Sequence, residues 1–361
     1  MSDELHKRLS AVRGEIDAID NQLLDLLNQR ARCAQRVGEI KAGHGEGGSV
    51  YRPERESQVL RRIQERNPGP LSSDSVTWFF REVMSACLSL ERPLGVAFLG
   101  PLGTFSESAA VKHFGHAAQL LPQSSIDDVF REVESRHADY AVVPIENSTE
   151  GAIGRTMDLL MATPLQICGE VVLRIHQHLL SRETSLDKIT KVYSHAQSLG
   201  QCHEWLNKNL PTVVRIPVAS NAEAARLASE NPSWAAIAGD AAAERYQLDL
   251  QARNIEDEPN NTTRFLVLGK PKAAPSGQDK TSLLMATQNR PGAMFDLIEP
   301  LARHGVSMTK LESRPSRTGL WEYVFFVDVE GHQQNDHVLA ALNELRHKAA
   351  FLKVLGSYPL A

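Results

Sequence analysis

One residue interrupts an otherwise unbroken heptad near the start of the chain. From Leu5 the apolar series runs Leu9, Val12, Ile16, Ile19, Leu23 and Leu26, then Arg30, then Cys33, Val37 and Ile40, in steps of four and three. That rhythm predicts one long amphipathic helix whose seam packs against other helices. Arg30 stands where Leu belongs. A guanidinium cannot shed its charge, and leaving it unpaired inside a helical interface costs about 3–5 kcal/mol. Something anionic must meet it, either a carboxylate of the protein or an anionic small molecule held in a buried site.

Its neighbours favour the small molecule. Lys41 is 11 residues further on, which puts it about 20° away on the same helix face and roughly 16 Å along the axis. Arg13 is 17 residues before Arg30, about 25 Å away and about 100° round the helix, so it cannot serve the same pocket within one chain. If Arg13 is a ligand, it serves a partner's pocket. A heptad of this length favours an intertwined dimer.

The rest of the composition excludes several classes. A net charge of −5 over 361 residues leaves no basic footprint for nucleic acid. Cys33, Cys87, Cys168 and Cys202 are widely spaced, without the pairs that hold zinc or frame a disulfide scaffold, and reduced thiols are the expectation. No stretch reaches the length of a membrane span, and the charged start is unlike a signal peptide. A cytoplasmic protein is expected, with no membrane or nucleic-acid partner and with neither metal nor cofactor.

Two more helices are expected after the Gly43–Gly48 linker. One starts near Pro53 and stops at Asn67-Pro68-Gly69-Pro70; the other runs from the Ser72-Ser73-Asp74 cap to about Glu91, with Phe80, Met84, Cys87 and Glu91 on one stripe. From Pro93 short apolar runs alternate with helical patterns: Val96–Leu99, Tyr140–Val143, Val192–Tyr193, Val213–Ile216, Ala235–Ala238 and Phe265–Leu268. That is α/β alternation, and such sheets bind ligands at the carboxyl ends of their strands. Lys270–Gly277 reads as a second linker. Beyond it the order is strand (Thr281–Thr287), helix (Gly292–His304), strands (Val306–Glu312 and Trp321–Val329), helix (Asp336–His347) and strand (Phe351–Leu355), the ferredoxin-like plan.

Polar clusters sit at the strand ends. Gly100-x-x-Gly103-Thr104-x-Ser106 offers free N–H groups and two hydroxyls to a carboxylate, or is a tight turn with a Ser cap. Glu146-Asn147-Ser148 is a polar site or a simple turn. His195 and Cys202 raise a Cys-His nucleophile but lack an evident orienting group. In Asn260–Phe265, Arg264 beside two threonines suggests anion recognition.

Together these residues carry a resemblance. FLGPLGTFSESAA, DYAVVPIENSTEGAI, YSHAQSLGQC and NNTTRF resemble the hallmark stretches of prephenate dehydratase, in order. Arg13, Arg30, Lys41 and YRPERE resemble the all-helical chorismate mutase class, and NRPGAMFDLIEPLARHGVSMTKLESRP resembles a phenylalanine-responsive ACT domain. Over essentially its whole length the chain resembles the bifunctional chorismate mutase/prephenate dehydratase family.

The resemblance implies a multidomain protein. Residues 1–92 would form an all-α three-helix mutase domain, 93–271 a two-lobed, periplasmic-binding-protein-like α/β dehydratase domain, and 279–361 a ferredoxin-like α+β ACT domain. It implies conversion of chorismate through prephenate to phenylpyruvate in a homodimer or higher oligomer, inhibited by L-phenylalanine.

The resemblance also implies roles. The mutase step is an intramolecular rearrangement that needs confinement and charge stabilisation. Arg30 and a partner's Arg13 would bind the carboxylates, Lys41 would donate to the ether oxygen, Arg55 would add a cation, Glu56 would accept from the ring hydroxyl, and Cys87 would line the site. Arg52 stands where some relatives have an acid. Glu91 stands where some have Gln, and it can donate to that oxygen only when protonated. In the dehydratase, Thr263 would meet the departing hydroxyl; Asn147, Ser194, Gln201 and Glu146 would bind or orient prephenate; Thr104, Ser106 and Arg264 would hold its pyruvyl carboxylate. Gly292, Ala293, Met294 (for the more usual Leu), Glu312, Ser313, Arg314 and Pro315 would form the effector site.

Two other classes fit less well. A ligand-responsive transcription factor needs a short helix-turn-helix with a basic recognition helix, not a head that opens with one long, charge-balanced helix. An exported solute-binding protein needs a signal peptide.

Overall fold

The computed structural model describes residues 3–43, 51–287, 290–316 and 323–361. The glycine-rich stretch 44–48 and Trp321 lie outside the described residues. Helix α1 (Asp3–Gly43) is one helix of 41 residues, about 60 Å long. Asp3 and Glu4 in its first turn and Lys41 in its last complement the helix dipole. Helix α2 (Pro53–Arg66) begins on proline, whose missing N–H costs nothing at the first position. Helix α3 (Ser73–Ser89) is capped by the Ser72 hydroxyl, which accepts from the Ser75 N–H at 3.1 Å.

Contacts divide the chain into two units. The first comprises Met1–Tyr51, Arg62–Leu94 and Phe114–Ala118. Met84, Ser85 and Cys87 of α3 are buried in it. The 114–118 turn rests on α3: Ala117 N–H donates to Ser85 Oγ at 3.3 Å, and Glu82 accepts from the His116 N–H at 3.2 Å. Gly115, at φ +73°, approaches Ser85 too closely for any side chain. Along α1 the apolar seam from Leu5 to Leu26 is exposed, Ile19 by 55 %.

The second unit comprises Arg52–Arg61, Gly95–His113 and Gln119–Ala361. Its first lobe contains β1 (Gly95–Leu99), α4 (Phe105–Phe114), β2 (Gln119–Gln123), α5 (Ile126–Glu134), β3 (Tyr140–Asn147), β4 (Gly151–Ala152), α6 (Gly154–Ala162) and β5 (Gln166–Arg174). The chain crosses to a second lobe of β6 (His178–Ser181), β7 (Lys191–His195), α7 (Ala196–Gln201), α8 (His203–Asn209), β8 (Val214–Val218), α9 (Asn221–Ala228), β9 (Trp234–Ala238), α10 (Asp240–Tyr246) and β10 (Asp249–Ala252). It then returns through β11 (Thr262–Gly269) into the middle of the first sheet. The sheet orders are β2-β1-β3-β11-β5, with β4 on β3, and β10-β6-β9-β7-β8.

The remaining residues give β12 (Asp279–Ala286), α11 (Ala293–Arg303), β13 (Met308–Pro315), β14 (Tyr323–Glu330), α12 (Asp336–Lys348) and β15 (Phe351–Pro359), with sheet order β13-β14-β12-β15. One face of this sheet packs on α11 and α12 through Leu297, Leu301, Leu342 and Leu345. The other shares a core with the first lobe: Leu284, Phe326, Leu355 and Tyr358 join Val143, Met157, Leu160 and Leu266 in one cluster. That shared core explains why residues expected to form two domains make one contact unit. The expected 270–277 linker is also tied down. Arg61 and Gln58 donate to the carbonyls of Ser276 and Pro275, both at 3.3 Å, and Ala273 and Ser276 are buried.

Candidate functional sites

A cleft of about 830 Å³ opens between the two lobes of the second unit. The carboxyl ends of β1, β3, β7 and β8 and the starts of α4 and α9 line it, as expected for open α/β sheets. Of the expected residues, Thr104, Ser106, Asn147, Gln201 and Thr263 line this cleft.

Asn147 and Thr263 are paired residues on adjacent antiparallel strands. Asn147 Oδ1 accepts from Thr149 N–H (3.1 Å), Thr149 Oγ1 (2.6 Å) and Glu150 N–H (3.1 Å), which fixes its amide. Nδ2 therefore points at Thr263 Oγ1, 2.8 Å away, and at Asn261 Oδ1, also 2.8 Å. Asn261 Nδ2 donates to Gln201 Oε1 (3.2 Å), and Gln201 Nε2 donates to Thr149 Oγ1 (3.3 Å). The four side chains close a head-to-tail ring spanning both lobes, in which each bond polarises the next. Thr263 receives a hydrogen bond from that ring, so its own hydrogen is free to aim into the cleft.

Three expectations need correction. Arg264 and Glu146 do not line the cleft, because successive strand residues face opposite ways: they pair with each other on the reverse face of β11 and β3. There Arg264 donates to Glu170 (2.8 Å), Asp328 (2.6 Å) and Tyr358 (3.0 Å). Burial opposes its charge, but Tyr358, Asp328 and Glu170 more than offset this and hold its pKa above the usual value. Glu146 pairs with Lys310 at 2.5 Å. Ser194 is fully buried behind the wall, bonding Asn221 Oδ1 (3.0 Å) and the Ile237 carbonyl (2.8 Å). The Cys-His alternative also falls away, since Cys202 is wholly buried and burial pushes its thiol pKa up.

Several lining residues went unpredicted. Asn221, Gln177 and Ser198 form a second polar cluster: Asn221 Nδ2 donates to Ser198 Oγ (2.9 Å) and Gln177 Oε1 (3.3 Å). Ser220-Asn221 opens a helix after a strand, the same signal that marks Thr104, and it was available in the sequence. Arg245, near the end of α10, is the one Lys or Arg among the described lining residues. Nothing local marks it.

In the first unit, Lys41 Nζ lies 3.3 Å from Glu91 Oε2, and the Glu91 side chain is nearly buried. Gly38 lies under it: a Cβ there would sit 3.1 Å from Glu91 Cγ. Arg30 is half-buried on α1, and no ion pair is found for it among the described residues. Arg13 is exposed further along the same helix, and Cys87 is buried one turn before Glu91. Arg52, Arg55 and Glu56 fall in the second unit by contact; Arg52 lies 3.9 Å from Glu54.

Of the effector residues, Gly292 caps α11 at φ +78°, followed by Ala293 and Met294. Glu312, Ser313, Arg314 and Pro315 end the edge strand β13. The Arg314 side chain is directed instead to Asp158 of α6, 3.0 Å away. No group of side chains suited to a metal occurs among the described residues, and no described helix is long and apolar enough to cross a membrane.

Family models for prephenate dehydratase, chorismate mutase type II and the ACT domain match residues 96–273, 12–92 and 281–347. A bifunctional chorismate mutase/prephenate dehydratase of Neisseria gonorrhoeae is 56% identical over 100% of this chain and 99% of its own.

The chain belongs to the bifunctional chorismate mutase/prephenate dehydratase family.

The Escherichia coli member is 34% identical over 97% of this chain and 96% of its own. Among solved structures, the Arthrobacter aurescens prephenate dehydratase in complex with L-Phe aligns with a TM-score of 0.67 and 32% identity, covering 73% of this chain and 89% of that one. A quorum-quenching acylase aligns comparably, at TM-score 0.68 and 29% identity over 74% of this chain and 98% of that one. The fold alone therefore does not name the reaction, and the residues of the cleft must.

Proposed function

We propose that this chain rearranges chorismate to prephenate in its helical unit and turns prephenate into phenylpyruvate in the cleft, with L-phenylalanine as feedback inhibitor. The observation that carries the second step is the Asn147–Thr263 hydrogen bond on the cleft wall. Dehydration expels a hydroxyl that leaves poorly as hydroxide. A donor at that oxygen stabilises the charge it develops, while the ring carboxylate departs as carbon dioxide and its electron pair completes the aromatic ring. The hydroxide takes up one proton and leaves as water. Thr263, polarised by Asn147, is the donor to that oxygen.

Prephenate carries two carboxylates, and this reading gives them separate treatment. The start of α4, with Thr104 and Ser106, and the guanidinium of Arg245 hold the pyruvyl group. The ring carboxylate must lose its charge in the reaction, so it is left without a tight cationic clamp.

The mutase step needs no nucleophile and no proton transfer. Arg30 fixes a carboxylate, Lys41 and Glu91 face the ether oxygen, and a second copy of the chain covers the open seam of α1 and brings its Arg13 to the site. The roles of Arg52, Arg55, Glu56 and Cys87 rest on the family resemblance, as does a cytoplasmic location. The effector occupies the α11 start and the Glu312–Pro315 motif, with Glu312 meeting its ammonium group; the L-Phe complex of the A. aurescens relative supports this. The test is to supply chorismate and follow phenylpyruvate with and without L-phenylalanine. Turnover that phenylalanine suppresses is expected, and no turnover would sink the reading.

A further inference from the structure

The strand pair that carries Asn147 and Thr263 has two working faces. Its cleft face holds the hydrogen-bonded ring. Its reverse face holds Glu146 and Arg264, each the immediate neighbour of a cleft residue, and both reach the ACT sheet. Arg264 enters a buried, charge-balanced cluster in which Lys280 also meets Glu170 (2.9 Å) and Ser282 bonds both Asp328 (2.5 Å) and Tyr358 (2.7 Å). Breaking a buried cluster of this kind strands a charge, so it behaves as a fixed pivot.

Glu146 is held differently. Among the described residues its ion-pair partner is Lys310 of β13, and the two side chains are 38 % and 15 % exposed. A partly solvated pair such as this is cheap to break and remake. From Lys310 the strand runs directly into Glu312-Ser313-Arg314-Pro315, and Lys310, Glu312 and Arg314 share one face of it. Arg314 meets Asp158 of α6 at 3.0 Å and leaves its own Nε buried without a partner. Lys353 of β15 caps the far end of α6, donating to the carbonyls of Leu160, Met161 and Thr163 at 2.7–3.2 Å. The effector strand thus touches the two elements that flank residues 148–153: β3 just before them and α6 just after. Thr149, a member of the ring, lies in that segment. A cavity of about 20 Å³ beside Arg264, Lys310 and Asp328 leaves slack between pivot and lever, room for about one water.

We propose that Lys310 is a positioning residue for the dehydratase: through Glu146 it sets the placement of Asn147, and it is the contact by which occupancy of the effector motif reaches the cleft. A displacement of β13 moves Glu146, and the shared backbone carries that movement into Asn147 and the hydroxyl it orients. The inference rests on the reading of the cleft and effector motif given above.

The test uses the full chain carrying Lys310→Met, with Lys310→Arg and the charge-swapped pair Glu146→Lys/Lys310→Glu beside it. The denaturant midpoint of the full chain reports folding in each, since mutase turnover reports the helical unit alone. In Lys310→Met, L-phenylalanine binding measured by calorimetry stays within about threefold of the parent, while the concentration for half-inhibition rises at least tenfold. By reciprocity, prephenate's effect on phenylalanine binding shrinks by the same factor. Lys310→Arg and the swapped pair recover inhibition. Unchanged half-inhibition in Lys310→Met overturns the inference while leaving the functional reading intact, and so does a loss of inhibition that merely tracks a loss of binding. A parent chain that phenylalanine does not inhibit overturns both.

Discussion

Asn147 and Thr263 face each other across β3 and β11, and the Asn147 amide donates to the Thr263 hydroxyl over 2.8 Å. The direction of that bond matters more than its length. A threonine that accepts from an amide held by three donors of its own has one hydrogen left to give, and the cleft is where it can be given.

Thr263→Ala removes that hydrogen. Dehydratase kcat is expected to fall by roughly 10²–10⁴, the usual contribution of a positioned acid or donor, while mutase turnover stays within twofold. Steady-state assays of both steps on one preparation check this. Parallel losses would argue against separate sites.

Arg245 makes a different prediction because it would bind a group that does not react. Arg245→Gln should raise the KM for prephenate by about 10- to 100-fold, the 1.5–3 kcal/mol of a charged hydrogen bond, with kcat changed far less. Arg264→Gln should act chiefly through stability, since its side chain serves the buried cluster on the other face.

Gly38 gives Glu91 its space beside Lys41. Gly38→Ala would be expected to strengthen α1 by roughly 1 kcal/mol on helix propensity alone. It also presses on Glu91 at 3.1 Å. Mutase kcat is expected to drop about tenfold while the melting temperature holds or rises. An unchanged kcat would show that the reaction does not need Glu91 held at this spacing.

Buried Tyr358 gives a pH signature. Burial pushes its pKa well above 10, with Asp328 adding to the shift and Arg264 opposing it. The phenol is neutral in both states below the unfolded value near 10, so its full contribution is present there; as pH climbs above it, the unfolded chain ionises while the folded chain resists, and stability is lost. Denaturant midpoints measured from pH 8 to 11 should fall less steeply for Tyr358→Phe than for the parent.

Much of this was legible in the sequence, and the exceptions share a cause. The heptad announced α1, and its break at Arg30 marked a cation that no described carboxylate neutralises. Thr263, Asn147, Gln201, Thr104 and Ser106 fall in recognisable runs and meet in the cleft. Arg264 and Glu146 were drawn to the same site by adjacency, although period-two alternation sends them the other way. Arg245 and Gln177 could not be read at all, because their place at the cleft comes from the second lobe folding over the first. Strand β5 has no clear signature in the sequence because Gly169 and Glu170 break its apolar run, and Glu170 is there to meet Arg264 and Lys280. Strand β2 has Pro122 on a sheet edge, where a missing donor does no harm.

The ladder between β11 and β3 slips once, where Phe265 pairs with Pro144 although Arg264 pairs with Glu146. Ile145 is the extra residue. That irregularity restricts how this stretch can change over evolutionary time. Inserting or deleting one amino acid in either strand between the slip and its end would turn that strand's threonine or asparagine away from the substrate and present the neighbouring arginine or glutamate in its place. A substitution here alters one contact, whereas a change of length re-aims every residue beyond it.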